Sequence, residues 1–448
     1  MESSKQYIVA IEISTSKIVG IVGEKTPSGA VSVEHIESID ISSDCVRRGL
    51  VQNVEETKHH VANIIKRLES HISPRTISGV YVGVAGRSLH NIPLEITEEL
   101  DPNESISEDV INNIIRKCQR STVEGEILSV EPRIYELDGK QETRNPIGSF
   151  SSQITAKMNL IVAKPLLMRN LKRVFESIKV LGYIITPLAV ADKILNNDER
   201  QLGCMLVDFG AETTTVSIYK NDALRYIATL PMGSRLITLD ITNVNVTESN
   251  AEALKRSIGN AMGIDAQKLP VINGVSSKDI SNYVEARVGE IRANIVEQLT
   301  YANMTSEDIS AGGIILIGGG SRLNGFVGFL EDMLKVNVKY GHHSPYVNIL
   351  TPDAENLEYI QAVALVETAA KMMKYNENCV DTPKPPTPVE PPVDDGNNDN
   401  GRKHEESKPK QPKRQKPNAF SRWLNKARDI FSDAEDDDSY SEDKPANY

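Results

Sequence analysis

The run Val207-Asp208-Phe209-Gly210-Ala211-Glu212-Thr213-Thr214-Thr215-Val216-Ser217-Ile218-Tyr219 places an acid and a small-residue turn between two β-rich segments. Such a run reads as a hairpin whose turn amides can cradle phosphate oxygens, while the carboxylate ending the first strand holds a metal through water. The scheme returns near the N-terminus in Val9-Ala10-Ile11-Glu12-Ile13-Ser14-Thr15-Ser16-Lys17-Ile18-Val19-Gly20-Ile21-Val22. Two copies, about two hundred residues apart, predict a duplicated domain with one nucleotide clamped between the halves. Taken singly, either run could be an ordinary surface hairpin, because Gly, Ser and Thr are common in turns for conformational reasons alone.

A third element narrows the choice. Gly312-Gly313-Ile314-Ile315-Leu316-Ile317-Gly318-Gly319-Gly320-Ser321-Arg322-Leu323 reads as a short buried strand entering a triple-glycine turn, and helical spacing is expected over Leu323–Leu334. Glycines there remove Cβ atoms where a base or ribose must approach the backbone, although a dinucleotide fingerprint can look similar. The segment Ala251–Ala261 predicts a helix; alone it reads rather as a solvated amphipathic face with a Glu252–Lys255 ion pair at i,i+3, and only the other three motifs turn it toward a nucleotide.

In this order the elements resemble the actin, Hsp70 and sugar-kinase superfamily and, within it, the bacterial cell-division FtsA family. The resemblance implies an α/β, actin-like fold: a duplicated ribonuclease-H-like core whose halves clamp a nucleotide, then a disordered Pro-rich linker and a C-terminal amphipathic helix. It implies ATP and Mg2+ as cofactors. The phosphates would be held by Ser14, Thr15, Ser16 and Lys17 and by Gly210, Ala211, Glu212, Thr213 and Thr214, with Gly233 nearby. Gly318, Gly319, Gly320 and Arg322 would take the adenosine side, Glu252 and Lys255 the ribose and base, and Asp208 with Glu12 the metal, through water, and any catalysis. The superfamily's Asp-Ile-Gly-Thr becomes Glu12, Ile13, Ser14 and Thr15 here, and its Pro-x-Gly-Gly-Asp segment becomes Pro231-Met232-Gly233-Ser234-Arg235. Glu adds one methylene and sets its carboxylate roughly an ångström further out, so ATP binding is expected with slow turnover at most.

The implied organisation has a first core subdomain from 1–84, 165–203 and 356–380, and a small inserted subdomain, 85–164, of the SHS2 kind. A second core subdomain takes 204–235 and 309–355, and a fourth subdomain takes 236–308. Then come a linker at 381–417, a membrane-targeting helix at 418–431 and an acidic tail at 432–448. Residue patterns add a hairpin at Tyr7–Val22, helices at Val54–Ser70, Glu108–Thr122 and Pro165–Leu181, and strands at Gly79–Val84, Leu94–Thr97, Glu126–Leu137 and Gln153–Val162.

With 448 residues and 39% hydrophobic content the chain can bury more than one core. Its four cysteines show no metal-ligand spacing to each other or to His, which argues against zinc and disulfides. No apolar run approaches about 18 residues, and no signal-type core follows Met1, so neither spanning nor secretion is expected. Asp381–Pro417 holds nine prolines and almost no large apolar side chain, so it cannot offset the entropy of ordering and should act as a tether.

Beyond the tether, Phe420, Trp423, Leu424, Ala427, Ile430 and Phe431 fall on one helical arc, with Arg422 opposite and Lys426 and Arg428 at its edges. The alternative is a helix that docks on the body or on a partner protein. Ten Lys or Arg against two Glu between Arg402 and Arg428, in a chain of net charge −12, favour an anionic membrane surface. Nucleic acid is not expected, because the body shows no basic domain. The family resemblance implies self-polymerisation, binding of the tail of the tubulin homologue FtsZ at about 236–308, contacts with later division proteins, and a peripheral place on the inner face of the cell membrane at the division site. The alternative is a small-molecule kinase of the same superfamily, for which no substrate-side base can be located by spacing.

Overall fold

In a computed structural model, residues 5–26, 29–263, 271–272, 275–352, 356–374 and 377–381 are described. The linker expected from 381 begins later, because Asp381 still pairs with Thr76 in a short antiparallel strand; its residues 382–417, the expected membrane helix at 418–431 and the tail at 432–448 lie outside the described residues.

Two sheets repeat one plan. In the first, Val31–Asp40, Lys17–Lys25 and Gln6–Ile13 pair antiparallel, and Val80–Val84 and Val180–Ile185 then add parallel to Gln6–Ile13. In the second, Ala223–Leu230, Thr214–Lys220 and Cys204–Phe209 pair antiparallel, and Gly313–Ile317 and Val338–Tyr340 add in parallel. The expected duplication is therefore visible as strand order. Continuous apolar runs such as Ile8-Val9-Ala10-Ile11 are buried throughout because these strands are covered on both faces. Helix Val54–Ile72 is capped by Asn53, whose side chain accepts the Glu56 N–H, and buries Val61, Ile64, Leu68 and Ile72 at helical spacing against the first sheet. The 25-residue helix Ser277–Tyr301 buries Ile280, Val284, Val288, Ile291 and Ile295 in the core of the second half.

A third core joins the halves. Val190 from helix Thr186–Ile194 and Ile360 and Ala364 from helix Ile360–Met372 pack with Leu206, Ile315 and Ile317 of the second sheet. The chain then returns to the first half, where Cys379 N–H bonds Tyr7 C=O. Beyond Ala223–Leu230 the second sheet continues through the single pair Ala228–His90 into His90–Glu99, Gln153–Ala163, Glu126–Leu137 and Gln141–Thr143. With helix Glu108–Gln119 these strands enclose a separate core around Ile114, Tyr135 and Met158.

Four helical expectations need correction. The helix expected over Glu108–Thr122 ends at Gln119. The helix expected over Pro165–Leu181 stops at Val174, and Val180–Ile185 is a parallel strand beside Val80–Val84. Leu181 matched helical spacing by chance; its β-branched neighbours Val180, Ile184 and Ile185 suit the sheet slot that pairing offers. The helix expected from Leu323 begins at Phe326, after the left-handed Gly325 (φ 74°). The Ala251–Ala261 helix runs from Glu248 to Ile258, and Ala261 N–H then bonds Asn324 C=O, which pins its exit to that same loop.

Candidate functional site

Strand register aligns the two hairpins residue by residue. Glu12 faces Val19 and Ile13 faces Ile18; Asp208 faces Thr215 and Phe209 faces Thr214. Each turn is closed by one backbone bond, Ser14 N–H to Lys17 C=O at 3.0 Å and Gly210 N–H to Thr213 C=O at 2.9 Å, and the Ser14 hydroxyl donates to the same Lys17 C=O at 2.8 Å. Glu12 and Asp208 thus occupy equivalent places, two residues before the closing amide. The closing amides of Ser14 and Gly210 are spent on the turn, which corrects the expectation that they face a phosphate. The next amides are aimed elsewhere. Gly210 and Ala211 carbonyls accept the first two N–H groups of helix Ser234–Ile241 at 3.0 and 2.8 Å. Because C=O and N–H of one peptide point in opposite directions, the Ala211 and Glu212 amides face away from that helix.

Both turns open on one cleft of about 770 Å3. It is lined by Glu12, Ser14, Thr15, Ser16 and Lys17 from the first half, and by Asp208, Gly210, Ala211 and Thr213 from the second. Glu252, Lys255, Gly318, Gly319, Gly320 and Arg322 complete the expected set. Three expected residues do not line it. Glu212 is buried behind its turn, where its carboxylate accepts Arg48 N–H at 2.8 Å and an Arg235 guanidinium N–H. Thr214 turns its hydroxyl to Met232 C=O at 2.8 Å. Gly233 packs flat against the second turn, where a Cβ would lie 2.4 Å from Ala211 O.

Burial shapes the charges. It pushes the Glu12 carboxyl up to about 7; nearby Lys17 opposes this and the charge of Asp208 adds to it. Burial likewise lifts Asp208 to about 6, against the amide of Gln361, which donates to its Oδ2. Two desolvated carboxyls with room between the turns form a hard oxygen donor set of the kind Mg2+ takes, so the residues present fit that ion. Lys17 holds Glu358 and lies 4.8 Å from the Tyr359 ring centroid.

On the opposite wall, burial resists the charge of Glu252, but hydrogen bonds from Lys255, Thr238 and Arg256 overcome it and hold the carboxyl near 2. Lys255, nearly fully buried, donates to Ser234 C=O at 3.2 Å and Thr238 Oγ1 at 2.9 Å. Arg322 donates to Asn356 Oδ1 at 2.8 Å.

The sequence reading missed Gln361, Glu358 and Arg48. Gln361 is the second residue of helix Ile360–Met372, and no local pattern marks it as the partner of an acid on another sheet. The only local signal near Arg48 is Gly49, which marks a turn before helix Val54–Ile72; the structure shows both residues left-handed there, at φ 51° and 72°.

Comparison with known proteins agrees with this architecture. The family model "Cell division protein FtsA" matches residues 205–364, and the model for the SHS2 domain inserted in FtsA matches 89–162. The chain is 30% identical over 351 residues to the cell division protein FtsA of Porphyromonas gingivalis, covering 75% of this chain and 72% of that one. It is 26% identical over 390 residues to the Escherichia coli K12 protein of the same name, covering 81% and 90%. Among solved structures it is similar to the PilM-PilN type IV pilus biogenesis complex, with a TM-score of 0.54 at 15% identity, covering 81% of this chain and 98% of that one. The fold is actin-like. Among the described residues no helix is long and apolar enough to cross a membrane.

Proposed function

The chain belongs to the FtsA family of cell-division proteins, and on that premise we propose that its central cleft binds ATP with Mg2+ and that nucleotide-bound subunits polymerise. The polymer ties the FtsZ ring to the inner face of the cell membrane, receives the FtsZ tail at 236–308, and helps to recruit later division proteins. The observation that carries the cleft assignment is the convergence of two register-matched hairpins, each ending in a carboxylate, on one cavity floored by Gly318–Gly320. In this reading Ser14–Lys17 and Ala211–Thr213 surround the phosphates, and Glu252, Lys255 and Gly319 lie toward the nucleoside. Glu12 and Asp208 hold the metal through water, and Gln361 orients Asp208. Glu212 acts from behind, fixing its turn against Arg48 and Arg235.

Gly319 gives a clean test. A Cβ built there meets no atom within 4 Å, so a larger side chain projects into the cleft without disturbing the fold. Gly319→Val is expected to keep the parent's melting behaviour and to lower ATP affinity at least about tenfold in calorimetry, since a branched side chain takes the space of a flat ligand. Equal affinity in both proteins removes the nucleoside from that wall.

Turnover is expected to be slow. Glu12 is the longer acid at a position where the register calls for a counterpart of Asp208, and phosphoryl transfer depends on positioning. Glu12→Asp is expected to raise the steady-state ATPase rate or leave it unchanged. A sharp fall with ATP binding intact shows that Glu12 is already the fitted residue.

A further inference from the structure

Away from the cleft, the loop before helix Val54–Ile72 brings together three side chains of different ligand chemistry. Cys45 Sγ, a Glu56 carboxylate oxygen and a His60 ring nitrogen all lie within 4.8 Å of one another. Glu56 and His60 are one helical turn apart on the same face, with His60 Nε2 3.8 Å from Glu56 Oε1. Cys45 approaches from the loop, and the loop is fixed to the helix: its carbonyl accepts Gln52 N–H at 2.9 Å and Asn53 N–H at 3.2 Å, and Asn53 caps the helix. The sulfur is buried while the imidazole and the carboxylate reach solvent, so an ion has both a soft inner ligand and a way in. Glu56 Oε2 is steadied by the Asn53 amide at 3.0 Å, which leaves Oε1, on the His60 side, to coordinate.

We propose that Cys45, Glu56 and His60 form a binding site for a thiophilic divalent cation of the zinc class, with solvent completing a four-coordinate shell. Ligand bonds of about 2.0–2.3 Å require the three atoms to draw together by roughly an ångström, which rotation of the two half-exposed side chains supplies. The proton balance is set by Thr57. Its single hydroxyl hydrogen goes to Asn53 C=O at 2.6 Å, so across the 3.2 Å contact the Cys45 thiol is the donor and the ion-free sulfur is protonated. Binding releases that proton to solvent and forms the sulfur–metal bond, and the Thr57 hydroxyl then turns to the thiolate as a supporting donor. Cys45 precedes Arg48 by three residues in the same loop, so the ion braces the segment that delivers Arg48 N–H to Glu212.

Spectroscopy with Co2+ on the full, nucleotide-free chain under reducing conditions tests the site. The expected result is stoichiometric binding with a near-ultraviolet sulfur-to-cobalt charge-transfer band that Zn2+ abolishes. An ion held by Glu12 and Asp208 in the cleft, whose lining among the described residues contains no cysteine, meets no sulfur and gives no such band. Cys45→Ser should remove the band and Cys118→Ser, a cysteine of the small subdomain, should keep it. His60→Ala, at a partly exposed position that does not endanger folding, should weaken Co2+ binding at least about tenfold, because loss of a ligand exceeds the 10–100-fold cost usual for outer-shell partners. No charge-transfer band in the parent chain, a band that survives Cys45→Ser, or unchanged affinity in His60→Ala overturns the proposal.

Discussion

Gly318→Ala is expected to destabilise the chain by about 2–4 kcal/mol, whereas Gly319→Ala, one residue on, is expected to be nearly silent. Gly318 has φ 84°, a conformation that costs an L side chain about 1–2 kcal/mol on its own. A Cβ there would lie 2.5 Å from Phe209 O and 2.6 Å from Asp208 Oδ1. Neither neighbour can give way cheaply: Phe209 is fully buried, its ring stacked on Phe326 with centroids 4.9 Å apart, and the Asp208 carboxylate is held by Gln361. The strain therefore goes into the end of the strand that presents Asp208, and metal-dependent nucleotide binding should fall along with stability. Chemical unfolding of the nucleotide-free protein, with Gly319→Ala as control, reads the difference. Equal midpoints for the two variants mean that the triple-glycine turn relaxes freely and does not position Asp208.

Local signals explain how much of this site could be read without coordinates. The two hairpins, the triple-glycine turn and the acids before each turn are short-range patterns: β-branched runs, two-residue connections and small residues where the backbone must turn or be approached. They survive as read because strand pairing and turn closure involve neighbours in sequence. The helix expected over Pro165–Leu181 failed where local periodicity met a nonlocal demand, since Val80–Val84 needs a parallel neighbour and Val180–Ile185 supplies it.

The connections that tie the halves were invisible for the same reason. Asp208 meets Gln361 across 153 residues, Glu212 meets Arg48 across 164, and Lys17 meets Glu358 across 341. Nothing in the spacing around Glu212 separates a phosphate contact from a buried anchor, because a turn acid serves either role. The structure separates them by which side of the turn the carboxylate leaves: the amides of Ala211 and Glu212 point away from helix Ser234–Ile241, while the Glu212 side chain leaves on the side of Arg48 and Arg235. Resemblance to a family supplied residue positions, and geometry divides those positions into wall and support.

Trp423→Glu is expected to release the full chain from anionic liposomes, while deletion of 433–448 leaves attachment intact. If 418–431 forms the expected membrane helix, Phe420, Trp423, Leu424, Ile430 and Phe431 would share one apolar arc, with Lys426 and Arg428 at its edges, where their stems would lie along the acyl boundary and their charges stay in water. Burying those five side chains gains several kcal/mol of gross transfer free energy, but ordering about fourteen residues into a helix at the interface consumes much of it. One tail alone is therefore expected to bind weakly. A polymer would present many tails on tethers whose coil-like reach would be roughly 30–35 Å, so each bound tail would raise the effective concentration of its neighbours and weak contacts would become a stable attachment. A carboxylate at position 423 would sit in the middle of that expected arc and would cost more than the marginal net gain of one helix. Co-flotation at moderate salt, where screening weakens the basic tether, separates insertion from simple charge attraction. Retention of Trp423→Glu under those conditions leaves the ten cations between Arg402 and Arg428 as the whole attraction and ends the insertion mechanism.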